Sequence, residues 1–396
     1  MTTLAKNEIN GAAARRAWLA RPFRASDSRA ITLVIVFALL IIYFHLASHG
    51  IFFSPRNISL LLRQASIVAV VAAGVSILII MGEIDLSIGS AVYLCSVVAA
   101  SLQTYYGAGT TETVLATMLV GVALGAWQGA WVVGVSIPSF VVTLSGLLAF
   151  RGFGYWLSNA QTIAPVTKSF SALSEGFIGK TASYVTLAVV LILGAAGIIA
   201  GYRRATQEGR ENAARTALAL VALIAAVGVL AWAFGGFLGI PEALVWVAAI
   251  GALLTGLMAR TKFGRNAYLI GSNREAAVLA GISLGSQLMY GFVLMGLLYG
   301  VAGVLITARL GAATASSGLF LELDAIAGAV IGGTSLRGGV GTVPGAIAGA
   351  VLLTTIDNGM SILDVSSFLQ MVVKGLVLLF ALAFDAVMSK RRSIAG

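Results

Sequence analysis

The chain has 396 residues, of which 59% are hydrophobic and 10% charged, with a mean hydropathy of +0.98. A soluble domain carries about 25% charged residues, so this chain lacks the polar surface to cover a water-exposed globule. Composition excludes a secreted disulfide scaffold, a nucleic-acid reader and a disordered tail, and leaves an all-α polytopic membrane protein with runs long enough to cross about 30 Å of hydrocarbon.

Residues 1–30 form a basic amino-terminal segment with Lys6, Arg15, Arg16, Arg21, Arg24 and Arg29. A signal peptide would end in a small-residue cleavage site and a polar mature chain, but here His49 and Pro55 lead into more membrane sequence, so the first apolar run is an uncleaved span. Twelve apolar segments follow one another at 31–49, 62–81, 88–106, 112–134, 139–158, 182–201, 216–234, 242–259, 288–308, 324–334, 342–357 and 368–386. They predict about 10–12 transmembrane helices in one domain over 31–390, ahead of a short tail, 391–396. The tenth is only 11 residues long. It reads as tilted, broken or re-entrant unless it extends back through Ser316 to Leu323.

Charge placement sets the orientation. If all twelve segments cross, the even-numbered connections share a side with the amino terminus. That side collects Arg203, Arg204, Arg210, Arg215, Arg260, Lys262, Arg265, Arg274, Arg337, Lys390, Arg391 and Arg392, giving 18 of the 25 Lys and Arg with the first six. The opposite connections hold Arg56, Lys168 and Lys180. Positive charge stays inside, so both termini are predicted cytoplasmic.

Glycine is frequent, at 47 residues, and much of it is spaced for close helix packing. Gly121, Gly125 and Gly129 repeat every four residues, as do Gly341, Gly345 and Gly349, and Gly328 with Gly332. Small residues at this spacing let helix backbones approach in lipid, within one subunit or at a dimer contact. A second pattern is a faint internal duplication. Gly82-Glu83-Ile84-Asp85-Leu86-Ser87-Ile88-Gly89-Ser90 falls between the second and third segments, and Gly332-Gly333-Thr334-Ser335-Leu336-Arg337-Gly338-Gly339-Val340-Gly341 between the tenth and eleventh. Two pseudo-repeated halves in parallel orientation would set two helix breaks around one axis, as in many transporters.

Catalytic chemistry has almost no candidates. Gly176-Phe177-Ile178-Gly179-Lys180-Thr181 resembles the end of a phosphate-binding loop, but Ser174 stands where the pattern needs glycine. His45 and His49 have no second cluster to make a metal site with, and Cys95 is alone in an apolar stretch. The carboxylates within membrane sequence carry more information, because a charge there is costly and usually turns inward or pairs. Asp85 or Ser87 suits a cap on the third segment, with Glu83 beside the same helix end; a role in substrate or ion passage fits the same residues. Asp324 with Glu322, and Asp357 with Asn358, allow the same two readings. Arg151 and Lys374 lie inside segments, where they pair with carboxylates, snorkel or touch substrate.

The longest informative connection runs from Arg260 to Gln287. Asn273 can cap a short helix through Glu275, Ala277 and Leu279, and Gly281 can end it. Such a helix suits docking into a partner's groove, or is merely a surface helix on a connector.

Several of these strings resemble one family, the permease subunits of bacterial ATP-driven sugar importers of the ribose and xylose type. The strings are Phe263-Gly264-Arg265 with Ala277-Val278-Leu279-Ala280-Gly281-Ile282, the stretch from Gly82 to Gly89, Ile137-Pro138-Ser139-Phe140-Val141-Val142-Thr143-Leu144, and the stretch from Gly332 to Gly341. Asp357-Asn358-Gly359-Met360-Ser361 and the extra pair of segments within 182–234 look like the xylose branch. The resemblance implies a homodimeric permease of the bacterial cytoplasmic (inner) membrane. Two ATP-binding cassette subunits would hold the ATP and magnesium, and a soluble sugar-binding protein would deliver a monosaccharide such as D-xylose. This chain would then be no enzyme and hold no cofactor. By the same resemblance Phe263, Gly264, Arg265, Asn273, Glu275, Ala277 and Gly281 form the element that couples to the ATPase. Gly82, Glu83, Asp85, Ser87 and Gly89, with Gly333, Thr334, Ser335, Gly338 and Gly339, become hinges along the sugar path. The alternative is a proton- or sodium-coupled transporter with Glu83, Asp85, Asp324 or Asp357 as the coupling carboxylate.

Overall fold

The computed structural model describes residues 27–207 and 213–394. Lys6, Arg15, Arg16, Arg21, Arg24 and Arg210, and with them most of the basic amino-terminal segment, lie outside the described residues. The described chain is almost entirely helical. In order its elements are α1 (Asp27–Ala47), α2 (Pro55–Ile80), α3 (Ile88–Thr104), α4 (Thr110–Gly134), α5 (Ser139–Ser158), α6 (Lys168–Glu175), β1 (Phe177–Ile178), α7 (Lys180–Gln207), α8 (Ala213–Gly235), β2 (Ile240–Pro241), α9 (Glu242–Arg260), α10 (Lys262–Ser272), α11 (Arg274–Leu279), α12 (Leu284–Leu310), α13 (Leu321–Ile331), α14 (Val343–Ile362) and α15 (Ser367–Ile394). Each of the twelve apolar segments contains one long or medium helix. Eight of them, α2, α4, α5, α7, α8, α9, α12 and α14, are long and apolar enough to cross a membrane. The protein is a polytopic all-α membrane protein.

Local sequence explains the helix starts. Ser54 accepts from the Asn57 amide with Pro55 in the first turn of α2, and Thr342 accepts from the Gly345 amide with Pro344 in the first turn of α14. Proline costs nothing there because its missing N–H would be unpaired anyway. The tenth segment does not extend back: Phe320 precedes the first turn and 311–320 is not helical. At about 1.5 Å per residue, α13 and α3 reach roughly 16 Å and 25 Å, short of the hydrocarbon thickness.

The connections sort to two ends. At one end the 261–283 connector meets the 332–342 loop and, through Arg274, shares a cavity with the 81–87 break and the 135–138 turn. At the other, β1 pairs antiparallel with β2, Ile163 bridges Ala313, and Arg63 of α2 forms an ion pair with Glu175 of α6. The helix α6, the helix α10 and the β ribbon have no counterpart among the twelve apolar segments.

The core is built around α2, whose Val71, Ala72, Ala73, Val75, Leu78 and Ile80 are fully buried. Beside it α4 crosses α12 with backbone against backbone. A side chain on Gly121 or Gly125 would strike the Gly296 and Phe292 carbonyls, and Gly129 lies against Met289 and Phe292. On the far side of α2, Gly345 and Gly349 of α14 lie on Gly332, just past the end of α13, and on Gly328 within it. These contacts gain dispersion energy and expel lipid without any hydrophobic driving force. Gly341 is a correction to the packing stripe: it precedes α14, with a φ of +156° in the loop, and its neighbours are Thr334 and Ile80.

Candidate functional site

The connector folds as two helices. Thr261 Oγ1 accepts from the Gly264 amide at 3.3 Å to start α10. Phe263 packs onto the main core, and Gly264 sits so tightly on the Met258 backbone that no side chain fits. Arg265 is half-buried. Asn273 Oδ1 then accepts from the Ala276 amide at 2.9 Å to start α11. Ala277 is the buried side of this turn, while Glu275, Val278 and Leu279 are exposed, Leu279 at 89%. Gly281 ends it at a φ of +78°, a left-handed conformation that glycine adopts without strain. There the Gly281 amide donates to Val278 and the Ile282 amide to Ala277.

The two glycine-rich breaks have the same local form. After α2 the Gly82 amide donates to Ile79 and the Glu83 amide to Leu78, both at 2.9 Å. After α13 the Gly333 amide donates to Val330 and the Thr334 amide to Ala329, again both at 2.9 Å. Each is the double hydrogen bond that satisfies the last carbonyls of a helix ended by glycine. The two breaks share this helix-ending motif with other helices, among them α11, so it is not peculiar to the pair.

Sequence reasoning could not show that both breaks and the connector meet. The Gly339 amide donates to the Ile80 carbonyl at 2.8 Å. Gly271 of α10 lies against that same carbonyl and the Gly339 amide, and Gly338 lies against Gly271. Tyr268 of α10 donates to the Gly341 carbonyl at 2.8 Å; burial pushes its phenol above the ordinary tyrosine range, which keeps the donor protonated. Arg274, the first residue of α11, forms an ion pair with Glu83. Of the second break, Thr334 and Ser335 are buried, and the Ser335 amide closes the loop on Val340 at 2.9 Å.

Glu83 and Asp85 thus differ from their reading as cap and dipole partner. Glu83 is held by Arg274. Asp85 accepts from the Ser87 amide at 2.8 Å and the Ser87 hydroxyl at 2.7 Å, and from the Tyr299 hydroxyl of α12. Ser87 makes no cap bond to α3; it accepts from Gln128 Nε2 of α4 at 2.5 Å, while Tyr299 also reaches Gln128 Oε1 at 3.1 Å. Asp85, Ser87, Gln128 and Tyr299 are fully buried and tie the break to α4 and α12. Beside it, Glu83, Arg274, Ser136, Ser139 and Leu288 line a cavity of about 570 Å³.

The start of α3 meets the 311–320 loop, whose Ala313 bridges Ile163 at the opposite end. Gly89 lies against the Gly318 carbonyl and the Glu322 carboxyl group. Arg151 donates to the Ser317 carbonyl at 3.0 Å, and its guanidinium sits 4.8 Å from the Tyr93 ring centre. Arg151 therefore binds backbone carbonyls across a loop. Lys374 of α15 pairs with Asp324 at 3.0 Å and with Asp357 at 2.8 Å, while Asn358 and Asn57 exchange reciprocal bonds at 2.9 and 3.1 Å. Gln128 and Tyr299 are the residues most clearly missed. Their only signal was a polar atom within an apolar helix.

Residues 57–382 match the family described as branched-chain amino acid transport system / permease component. The xylose transport system permease protein XylH of Escherichia coli (strain K12) is 39% identical over 367 residues, covering 89% of this chain and 90% of that one. The galactose/methyl galactoside import permease protein MglC of the same strain is 30% identical over 358 residues, covering 86% and 89%. The ribose import permease protein RbsC of Haemophilus influenzae is 30% identical over 341 residues, covering 86% and 88%. No solved structure matches the chain at a significant level.

Proposed function

The chain belongs to the transport-system permease family described as branched-chain amino acid transport system / permease component, and from that membership we propose that it is the membrane subunit of an ATP-driven sugar importer. Its cargo is a monosaccharide, D-xylose first among them. The observation that carries this reading is the near full-length 39% identity to a xylose permease, against 30% to the galactose and ribose permeases. The family description mentions amino acids, yet these three relatives are named for sugars, and a neutral sugar needs no fixed counter-charge along its path.

In this reading the connector end faces the cytoplasm of a bacterial inner-membrane protein, with both termini on that side. A homodimer of the chain is held by two ATP-hydrolysing subunits, which bind the ATP and magnesium, and is served by a soluble sugar-binding protein. The chain itself contributes docking and passage. The exposed Val278 and Leu279 of α11 fit a partner's groove. The 332–342 break, in direct contact with α10, and the 81–87 break, tied to α11 through Arg274, are placed to move when the connector moves. Partner closure on ATP would shift α10 and α11, and with them the two breaks beside the cavity. The carboxylates that a gradient-driven transporter would need are engaged: Glu83 with Arg274, Asp85 with Tyr299, and Asp324 and Asp357 with Lys374.

Proteoliposomes holding the permease with its ATPase and binding protein test this reading. Labelled xylose should enter only with ATP, and more readily than ribose or galactose, and an uncoupler should leave uptake intact. Uptake that follows an ion gradient without ATP would overturn it. Gly281→Pro, which cannot adopt a φ of +78° and removes the donor to Val278, should separate ATP hydrolysis from uptake by at least about tenfold.

A further inference from the structure

The connector meets the end of α2 and the two breaks through close backbone contacts, through the Tyr268 hydrogen bond to the Gly341 carbonyl and through the Arg274–Glu83 ion pair. The backbone contacts lie at glycines: Gly271 on Ile80 and Gly339, and Gly338 on Gly271. These fix distance but resist only compression, because two surfaces in van der Waals contact do not pull on each other strongly. Arg274 and Glu83 form the ionic contact between α11 and the first break. An ion pair resists separation as well as compression, and with one partner nearly dry it does so strongly. The Glu83 side chain is 6% exposed and that of Arg274 is 50% exposed. The buried carboxylate therefore belongs to the membrane part and the water-facing cation to the connector.

The segment behind Glu83 is anchored. Two residues on, Asp85 is held by Ser87 and by Tyr299 of α12, and through Ser87 and Tyr299 it is linked to Gln128 of α4. The amide of Glu83 itself is tied to Leu78 at the end of α2. A pull on Glu83 must therefore strain α2's last turn or shift the start of α3, and the 82–84 segment between them lines the same cavity as Arg274.

We propose that Arg274 is a positioning residue for transport: through its ion pair with Glu83 it transmits the outward movement of α11 to the 81–87 break and so opens the connector end of the sugar path. The proposal rests on the importer reading. Its role is distinct from docking, because Arg274 reaches into the membrane part while the exposed Val278 and Leu279 remain for the partner.

The test uses the full permease with its ATPase partner and binding protein in proteoliposomes, with xylose as probe, and reads xylose moved per ATP hydrolysed together with the amount of ATPase that co-purifies. Arg274→Ala and Glu83→Gln should each lower the ratio about tenfold, the size of a coupling energy between contacting residues. The ATPase should still co-purify with both. The exchanged pair Glu83→Arg with Arg274→Glu should recover most of the lost ratio, and Arg274→Lys, which keeps the charge and folds most conservatively, should retain the greater part. A wild-type ratio in the single variants overturns the proposal, as does an exchanged pair no better than the product of its two singles. Loss of ATPase co-purification in Arg274→Ala overturns it too, since Arg274 would then be a docking contact. A wild-type complex that moves no xylose on ATP fails at an earlier step and overturns the importer reading with it.

Discussion

The helices α12 and α7 are both long, strongly apolar and free of interior charge, yet 78% of the apolar stretch of α12 is buried and only 6% of that of α7. The difference lies in what the small residues meet. Along α12, Gly296 and Gly300 face the Gly121, Gly125 and Met118 backbones of α4. Along α7, Gly194 meets only the flexible Leu223 side chain of α8, a side chain on Gly197 or Gly201 would meet nothing within 4 Å among the described residues, and Val185, Ile192 and Leu193 are exposed. Hydropathy thus decides that a segment is in the membrane, and the partner of its glycines decides whether it is in the protein.

Four substitutions break or sharpen that contrast. Gly125→Leu forces a side chain into the Phe292 carbonyl and the Gly296 backbone, and should cost about 3 kcal/mol, seen as loss of a folded, detergent-extracted permease on heating. Lys374→Met tests a different way of holding a largely lipid-facing helix. It leaves Asp324 and Asp357 without their cation and, because the Lys374 side chain is 28% exposed, should cost about 2 kcal/mol, less than a fully buried pair would. Lys374→Arg should recover part of this. Gly197→Leu, the counterpart of the first change on α7, should shift stability by no more than about 0.5 kcal/mol. A loss as large as that of Gly125→Leu would mean that α7 has a partner surface.

The twelve principal helices were legible because each coincides with an apolar run, and Asn273 and Gly281 were legible because caps are local. The helix α10 was missed although Phe263, Ala267 and Ile270 are spaced to share one helix face; Thr261 caps it and the core seats that face. The junction itself was out of reach. Ile80, Gly271 and Gly339 are far apart in the chain, and what joins them is a hydrogen bond and the absence of side chains. Arg274 looked like one more inward positive charge in the topology count, and only the fold pairs it with Glu83.

The smallest element has a consequence for the largest appendage. Two residues of β1 face two of β2, with Ile178 opposite Ile240, so the pair α7 and α8 starts and ends at one narrow doorway, while Trp232 of α8 stacks on Phe53. A chain that stepped directly from one side of that doorway to the other would keep every contact of the connector and of both breaks. The helix pair beyond it is a room that can be added or left off at the cost of one shared wall, where α8 lies against Phe53 and Leu62.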